Sequence, residues 1–130
     1  MTFARSVPEG LPDVEVDRAL TTRALGNLLE NALQATGQRG TVTVDAAAEA
    51  GPDGRPGVSI AIADSGSGMD ADALTHAFEP YFSTKAGGTS LGLPIAKRNI
   101  EASGGTVRMT SGAWTRVTVW LPAATAALGV

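Results

Sequence analysis

The chain has 130 residues and a formal net charge of −3, with 43% hydrophobic and 18% charged residues. That is the make-up of one globular domain with one core, and it excludes a disordered chain. The ten Lys and Arg residues form no run, which speaks against a duplex-binding face, and no apolar stretch reaches the ~18–20 residues needed to cross a bilayer.

Cysteine is absent, which removes disulfides and thiolate metal sites and suits a reducing compartment. Met1 to Gly10 lacks the basic-then-apolar layout of a secretory signal. The expected location is therefore cytoplasmic. Any membrane anchor of a parent protein would lie outside this segment.

Val14-Glu15-Val16 reads as a short strand. Asp17 is a suitable N-cap for a helix reaching about Thr36, where Gly37 and Gly40 end it. Thr41-Val42-Thr43-Val44 alternates as a strand does. Residues 51–57 are a Gly- and Pro-rich turn, and Val58 to Asp64 is the next strand, so the two strands pair as a hairpin. Val58, Ile60 and Ile62 alternate with Ala61 and Ala63, making this strand apolar on both faces and predicting a central, covered position.

A short helix over about Asp70 to Ala77 follows. Glu79 to Ser90 has little periodicity and contains Gly87 and Gly88; so long a loop in a small domain is usually functional or mobile. Leu91 to Ala102 reads as a helix with Pro94 in its first turn, where proline is tolerated, and Gly104-Gly105 ends it. Thr106 to Thr110 and Thr115 to Leu121 are the last strands, and the tail after Pro122 is expected to fray. Helices set apart from strands predict an α+β two-layer sandwich, with a mixed, mostly antiparallel sheet and helices on one face.

On the long helix, Ala24, Leu25, Leu28, Leu29, Ala32 and Leu33 fill one stripe, and Arg23, Asn27, Glu30, Asn31 and Gln34 fill the other side. Asn27 and Asn31 stand at i and i+4, so both amides share a row. An amide oxygen suits a hard cation such as Mg²⁺, which also takes water and phosphate oxygens. On spacing alone the simpler reading is a solvated polar face, and the pair gains weight only from the motifs that follow.

Asp64-Ser65-Gly66-Ser67-Gly68-Met69 stands where the central strand ends. A carboxylate buried there needs a donor, and the exocyclic amine of adenine is one. Gly66 and Gly68 would let backbone approach a flat ring, although the segment alone also reads as a plain glycine-rich turn. Gly66-x-Gly68-x-x-Ala71 formally fits a dinucleotide fingerprint, but the helix after it is too short, Pro80 follows soon, and no second βαβ unit appears. No G-x-x-x-x-G-K-[ST] sequence occurs, which excludes a P-loop.

Four blocks thus stand in one order. Asn27-Leu28-Leu29-Glu30-Asn31-Ala32-Leu33 resembles an N box, and Asp64 to Met69 a G1 box. Phe78-Glu79-Pro80-Tyr81-Phe82-Ser83-Thr84-Lys85 is similar to an F box, and Gly88-Thr89-Ser90-Leu91-Gly92-Leu93 to a G2 box. Together they resemble the catalytic ATP-binding domain (Bergerat fold) of bacterial sensor histidine kinases, in the superfamily shared with gyrase and mismatch-repair ATPases. The resemblance covers about residues 14–122 of a single domain, 1–130.

The resemblance implies roles. Asn27, Asn31 and Lys85 would form the catalytic set, with Asn31 holding Mg²⁺ and Asn27 and Lys85 near the phosphates of ATP. Asp64 would bond the adenine amino group, with Gly66, Gly68 and Met69 shaping its pocket. Residues 79–92, Thr84 among them, would cover the nucleotide. Gly88, Thr89, Ser90, Leu91, Gly92 and Leu93 would bring a helix N-terminus and its N–H groups to the phosphates. Thr118 matches a last-strand threonine that lies near adenine.

In the ATP-hydrolysing relatives a glutamate stands at the position of Asn27 and activates water. An amide cannot act as a base, and Glu30 lies off the asparagine row, so the resemblance implies phosphoryl transfer to a protein. The only histidine, His76, reads as a surface or packing residue. The acceptor is therefore expected on a separate histidine-containing dimerisation domain, with a response regulator downstream. This domain is expected to be a monomer that contacts neither nucleic acid nor membrane.

Ser90 departs from the glycine usual in the G2 box. Two alternatives stand beside the main reading. One is an anti-sigma-factor-type serine kinase, which shares the N and G1 boxes but lacks the F box. The other is a degenerate partner-binding module, for which Ser90 is the only support. Phe78 and Phe82 read as packing anchors, Lys97, Arg98 and Glu101 as a solvated helix face, and Trp114 and Trp120 as surface or inter-domain residues.

Overall fold

The computed structural model describes residues 2–36, 40–66, 78, 92–112 and 114–124. Its strands are β1 (Thr2–Ser6), β2 (Thr41–Ala48), β3 (Gly57–Asp64), β4 (Thr106–Ser111) and β5 (Thr115–Pro122), in one sheet of order β1-β2-β3-β5-β4. The described helices are α1 (Arg18–Thr36) and α2 (Gly92–Ala102). The expected helix over residues 70–77, the segment 79–90 and Leu91 lie outside the described residues.

Only the β1–β2 pairing is parallel; β2–β3, β3–β5 and β4–β5 are antiparallel. The α+β sandwich is therefore the expected one. β3 takes the middle of the sheet, the place a strand apolar on both faces needs. The helices pack on each other, α1 against β2 and β3 and α2 against β4. Between the layers lies the core: Ala24, Leu28 and Ala32 of α1, Ala96 and Ile100 of α2, and Val42, Ile62, Val117, Val119 and Leu121 of the sheet.

Local chemistry sets the ends of the helices. The Leu20 N–H donates to Asp17 Oδ1 at 2.9 Å, the expected N-cap of α1. The Asp17 N–H donates to Ser103 Oγ at 3.1 Å, fastening the start of α1 to the end of α2. Past that end, Gly104 adopts φ +85°, and the Gly104 and Gly105 N–H groups donate to the Glu101 and Ile100 carbonyls, each at 3.0 Å. Glycine enters this left-handed region without steric cost, which is why the helix stops there.

Three expectations are corrected. Val14 to Val16 is not a strand; Val14 makes an isolated bridge to Ala123. The first strand lies earlier, at Thr2–Ser6, where Phe3 and its neighbours along β1 are exposed and leave little apolar alternation to read. The tail does not fray directly after Pro122. The Ala123 N–H donates to the Pro56 carbonyl at 3.0 Å, and the Ala124 N–H to the Asp13 carbonyl at 2.7 Å.

Trp120 is a packing residue, only 6% exposed, rather than a surface one. Its Nε1–H donates to the Glu49 carbonyl at 2.9 Å, and its ring fills the space where Gly51 and Gly57 lack a side chain. The indole thus staples the β2–β3 hairpin to β5. Trp114, 40% exposed, does sit at the surface.

Candidate functional site

Asp64 ends β3 on the helix-facing side, two residues past the core residue Ile62, and is 4% exposed. A carboxylate that deep is costly unless donors reach it. One donor is local: the Gly66 N–H bonds Asp64 Oδ1 at 3.0 Å, an Asx-type turn that bends the chain away from the sheet. Ser65 anchors the bend to β2. Its N–H donates to the Thr41 carbonyl at 3.0 Å, and its Oγ accepts from the Thr41 N–H at 2.8 Å.

Gly66 rests on the backbone carbonyl of Ala35, in the last turn of α1, with no room for a side chain. This contact sets the two helix asparagines relative to the carboxylate. Asn27, Asn31 and Ala35 stand at i, i+4 and i+8, one row about 12 Å long, and the row ends at Gly66. Both asparagines are half-buried, while Glu30 and Gln34 are exposed. The Asn27–Asn31 row thus runs along α1 toward the turn that follows Asp64.

The β3–β5 register places Thr115 directly beside Asp64. Thr115 is 5% exposed, and its Oγ1 lies 3.2 Å from Ser111 Oγ. Thr118, the threonine expected at this site, is elsewhere. On β5, Val117, Val119 and Leu121 point into the core, so Thr118 points to the opposite face of the sheet. There it pairs with Ala61 and Arg108 and lines an open groove of about 300 Å³ with Glu49, Thr106, Arg108 and Trp120. The parity of the valines on β5 is a signal that could have shown this. The choice of Thr115 needed the register as well.

α2 begins at Gly92, and the half-buried Leu93 packs against the core from its first turn. One anchor connects to this helix from earlier in the chain. The half-buried Phe78 ring lies under Lys97, with Nζ 5.3 Å from the ring centroid. Phe78 is thus the packing anchor expected. Lys97 is half-buried on that ring instead of forming part of a solvated face, whereas Arg98 and Glu101 are exposed as expected. Gly68, Met69, His76, Phe82, Thr84, Lys85, Gly88, Thr89, Ser90 and Leu91 lie outside the described residues.

Among the described residues no three His, Cys, Asp or Glu side chains cluster as a metal cage. The amide oxygen of Asn31 is of the kind a hard cation takes together with water and phosphate oxygens. Among the described residues no helix is long and apolar enough to cross a membrane.

Residues 16–125 match the family described as histidine kinase-, DNA gyrase B- and HSP90-like ATPase. Among similar proteins, the sensor histidine kinase ZraS of Escherichia coli O157:H7 is 45% identical over 114 residues, covering 86% of this chain and 24% of that protein. The signal transduction histidine-protein kinase AtoS of Escherichia coli K12 is 35% identical over 109 residues, covering 84% of this chain and 17% of that protein. The chain thus spans about a quarter or less of the length of these curated relatives.

Among solved structures, the catalytic domain of histidine kinase ThkA superposes with a TM-score of 0.79 at 28% identity, over 94% of this chain and 78% of that one. Full-length ShkA in complex with AMPPNP gives 0.76 at 30% identity, over 95% of this chain and 26% of that one. The fold is that of histidine kinase catalytic domains.

Proposed function

This chain belongs to the family of histidine kinase-, DNA gyrase B- and HSP90-like ATPases, and from that premise we propose that it is the catalytic domain of a two-component sensor histidine kinase, binding ATP–Mg²⁺ and donating the γ-phosphoryl group to a histidine on a separate dimerisation domain. The observation that carries the reading is the buried carboxylate of Asp64 at the sheet end, beside Thr115 and at the foot of the asparagine row. Asp64 accepts a hydrogen bond from the adenine amine, Gly66 lets the turn close against the end of α1, and Thr115 lines the adenine side. Asn27 and Asn31 face the phosphates, and Asn31 gives its amide oxygen to Mg²⁺. The start of α2 at Gly92 and Leu93 directs N–H groups at the same anionic end.

From the sequence blocks, Lys85, Thr84, Gly88, Thr89, Ser90 and Leu91 complete the phosphate side, and Gly68 and Met69 the adenine side. In the transfer, an imidazole nitrogen of the acceptor attacks the γ-phosphorus. A P–N bond forms as the bond to the β,γ-bridging oxygen breaks, and ADP leaves. A Mg²⁺ ion held by Asn31 would supply neutralisation of the phosphate charge. The domain contributes positioning and electrostatics, since the amide at Asn27 cannot take a proton from water. The acceptor then supplies the phosphoryl group to a response regulator. We place the domain in the cytoplasm, as a monomer when apart from its dimerisation domain.

The test is phosphorylation with γ-labelled ATP in the presence of the dimerisation domain of the parent kinase. The expected product is label on that domain which acid removes and alkali spares, as for phosphohistidine. Acid-stable label would instead favour a serine kinase, and no label on either chain would favour a binding module.

A further inference from the structure

We propose that Lys97 is a positioning residue for nucleotide: by holding the ring of Phe78 against α2, it raises affinity without touching the nucleotide. The inference rests on the nucleotide-binding reading above. Three observations carry it. The Lys97 ammonium lies 5.3 Å from the centroid of the Phe78 ring, within the range in which a cation is attracted to the face of an aromatic. Lys97 is half-buried, whereas the next residue, Arg98, and Glu101 on the same helix are exposed, so the stem of Lys97 is packed along the helix layer. Among the described residues no carboxylate pairs with it, so the ring is its electrostatic partner there.

The position of this contact links it to the site. Lys97 follows Gly92 by five residues, about 7.5 Å along the axis. Long side chains on a helix lean toward its N-terminus, so the ammonium and the ring meet beside the first turns of α2. Those turns are the ones whose N–H groups are read as facing the phosphates. The contact holds Phe78 against α2 in the free protein. Affinity rises when the competent arrangement is already populated before the ligand arrives. A charge-to-ring contact of this exposure changes such a population by about two- to fivefold.

The test is titration of ATP and of ADP, each with Mg²⁺, into the parent, Lys97→Met, Lys97→Arg, Phe78→Leu and the Phe78→Leu/Lys97→Met double variant. Lys97→Met should weaken both nucleotides about two- to fivefold, and lower the melting temperature without nucleotide by no more than a few degrees. Lys97→Arg should bind like the parent, because guanidinium also stacks on a ring. In the Phe78→Leu background Lys97→Met should add no further loss. Three results would overturn the proposal: unchanged affinity in Lys97→Met, a full loss in the Phe78→Leu background, or a loss confined to ATP. The last two would mean that Lys97 reaches the nucleotide itself. Should Phe78→Leu not fold, the ATP-against-ADP comparison and the arginine rescue still decide. A parent that binds neither nucleotide is a separate result and sinks the nucleotide-binding reading.

Discussion

Asp64 and Thr115 are neighbours because β3 and β5 run antiparallel in register, although about 50 residues separate them along the chain. Asp64 was legible in the sequence, since an acidic residue followed by Ser-Gly-Ser-Gly at the end of an apolar strand is a local pattern. Asn27 and Asn31 were legible for a similar reason, because helical periodicity alone puts them on one row. Thr115 was not legible: only pairing between distant strands brings it to the carboxylate, and Thr118 was chosen in its place. The two threonines therefore make a paired prediction. Thr115→Val removes a buried hydroxyl beside the proposed adenine and should weaken ATP binding about fivefold, the loss expected for one neutral hydrogen bond of about 1 kcal/mol. Thr118→Val lies on the far face of the sheet and should leave binding unchanged. Competition with a fluorescent nucleotide would measure both, and equal effects would contradict the placement.

Among the elements, α1 was read closely because its signals are local: an Asp cap, an apolar stripe and terminal glycines. The structure adds a polar atom in that stripe. Thr21 is 6% exposed, and its Oγ1 has no hydrogen-bond partner among the described residues. Burying a hydroxyl without a partner costs about 1–3 kcal/mol, and valine has nearly the same shape. Thr21→Val should therefore raise stability by about 1 kcal/mol, read as a higher urea midpoint with an unchanged slope. A lower midpoint would mean that the hydroxyl is bonded after all. β1 was missed for the opposite reason. It is a five-residue, exposed edge strand, and its stabilising contacts come from pairing with β2, which no local periodicity reveals. Trp120 was misjudged similarly, because the glycines that make room for its ring are far away in sequence.

At the scale of the molecule, the order of helices and strands was enough to give the two-layer architecture. The segregation of apolar residues to one stripe per helix forces both helices onto one face of the sheet. The strand order β3-β5-β4 was beyond reach, as it depends on which long-range pairs close the core. The architecture places Asp64 between the layers, at the sheet end nearest the last turn of α1, so that the proposed adenine-side carboxylate and the asparagine row border one space in the proposed site. The central claim is that this space binds ATP. Calorimetric titration of ATP, with and without Mg²⁺, into the parent and Asp64→Asn tests it most directly. The parent should bind, and more tightly with Mg²⁺. Asp64→Asn should lose about ten- to a hundredfold in affinity, as expected when a hydrogen bond to a charged group worth about 1.5–3 kcal/mol is removed. A folded parent that does not bind millimolar ATP, or a variant that binds as tightly as the parent, would contradict it.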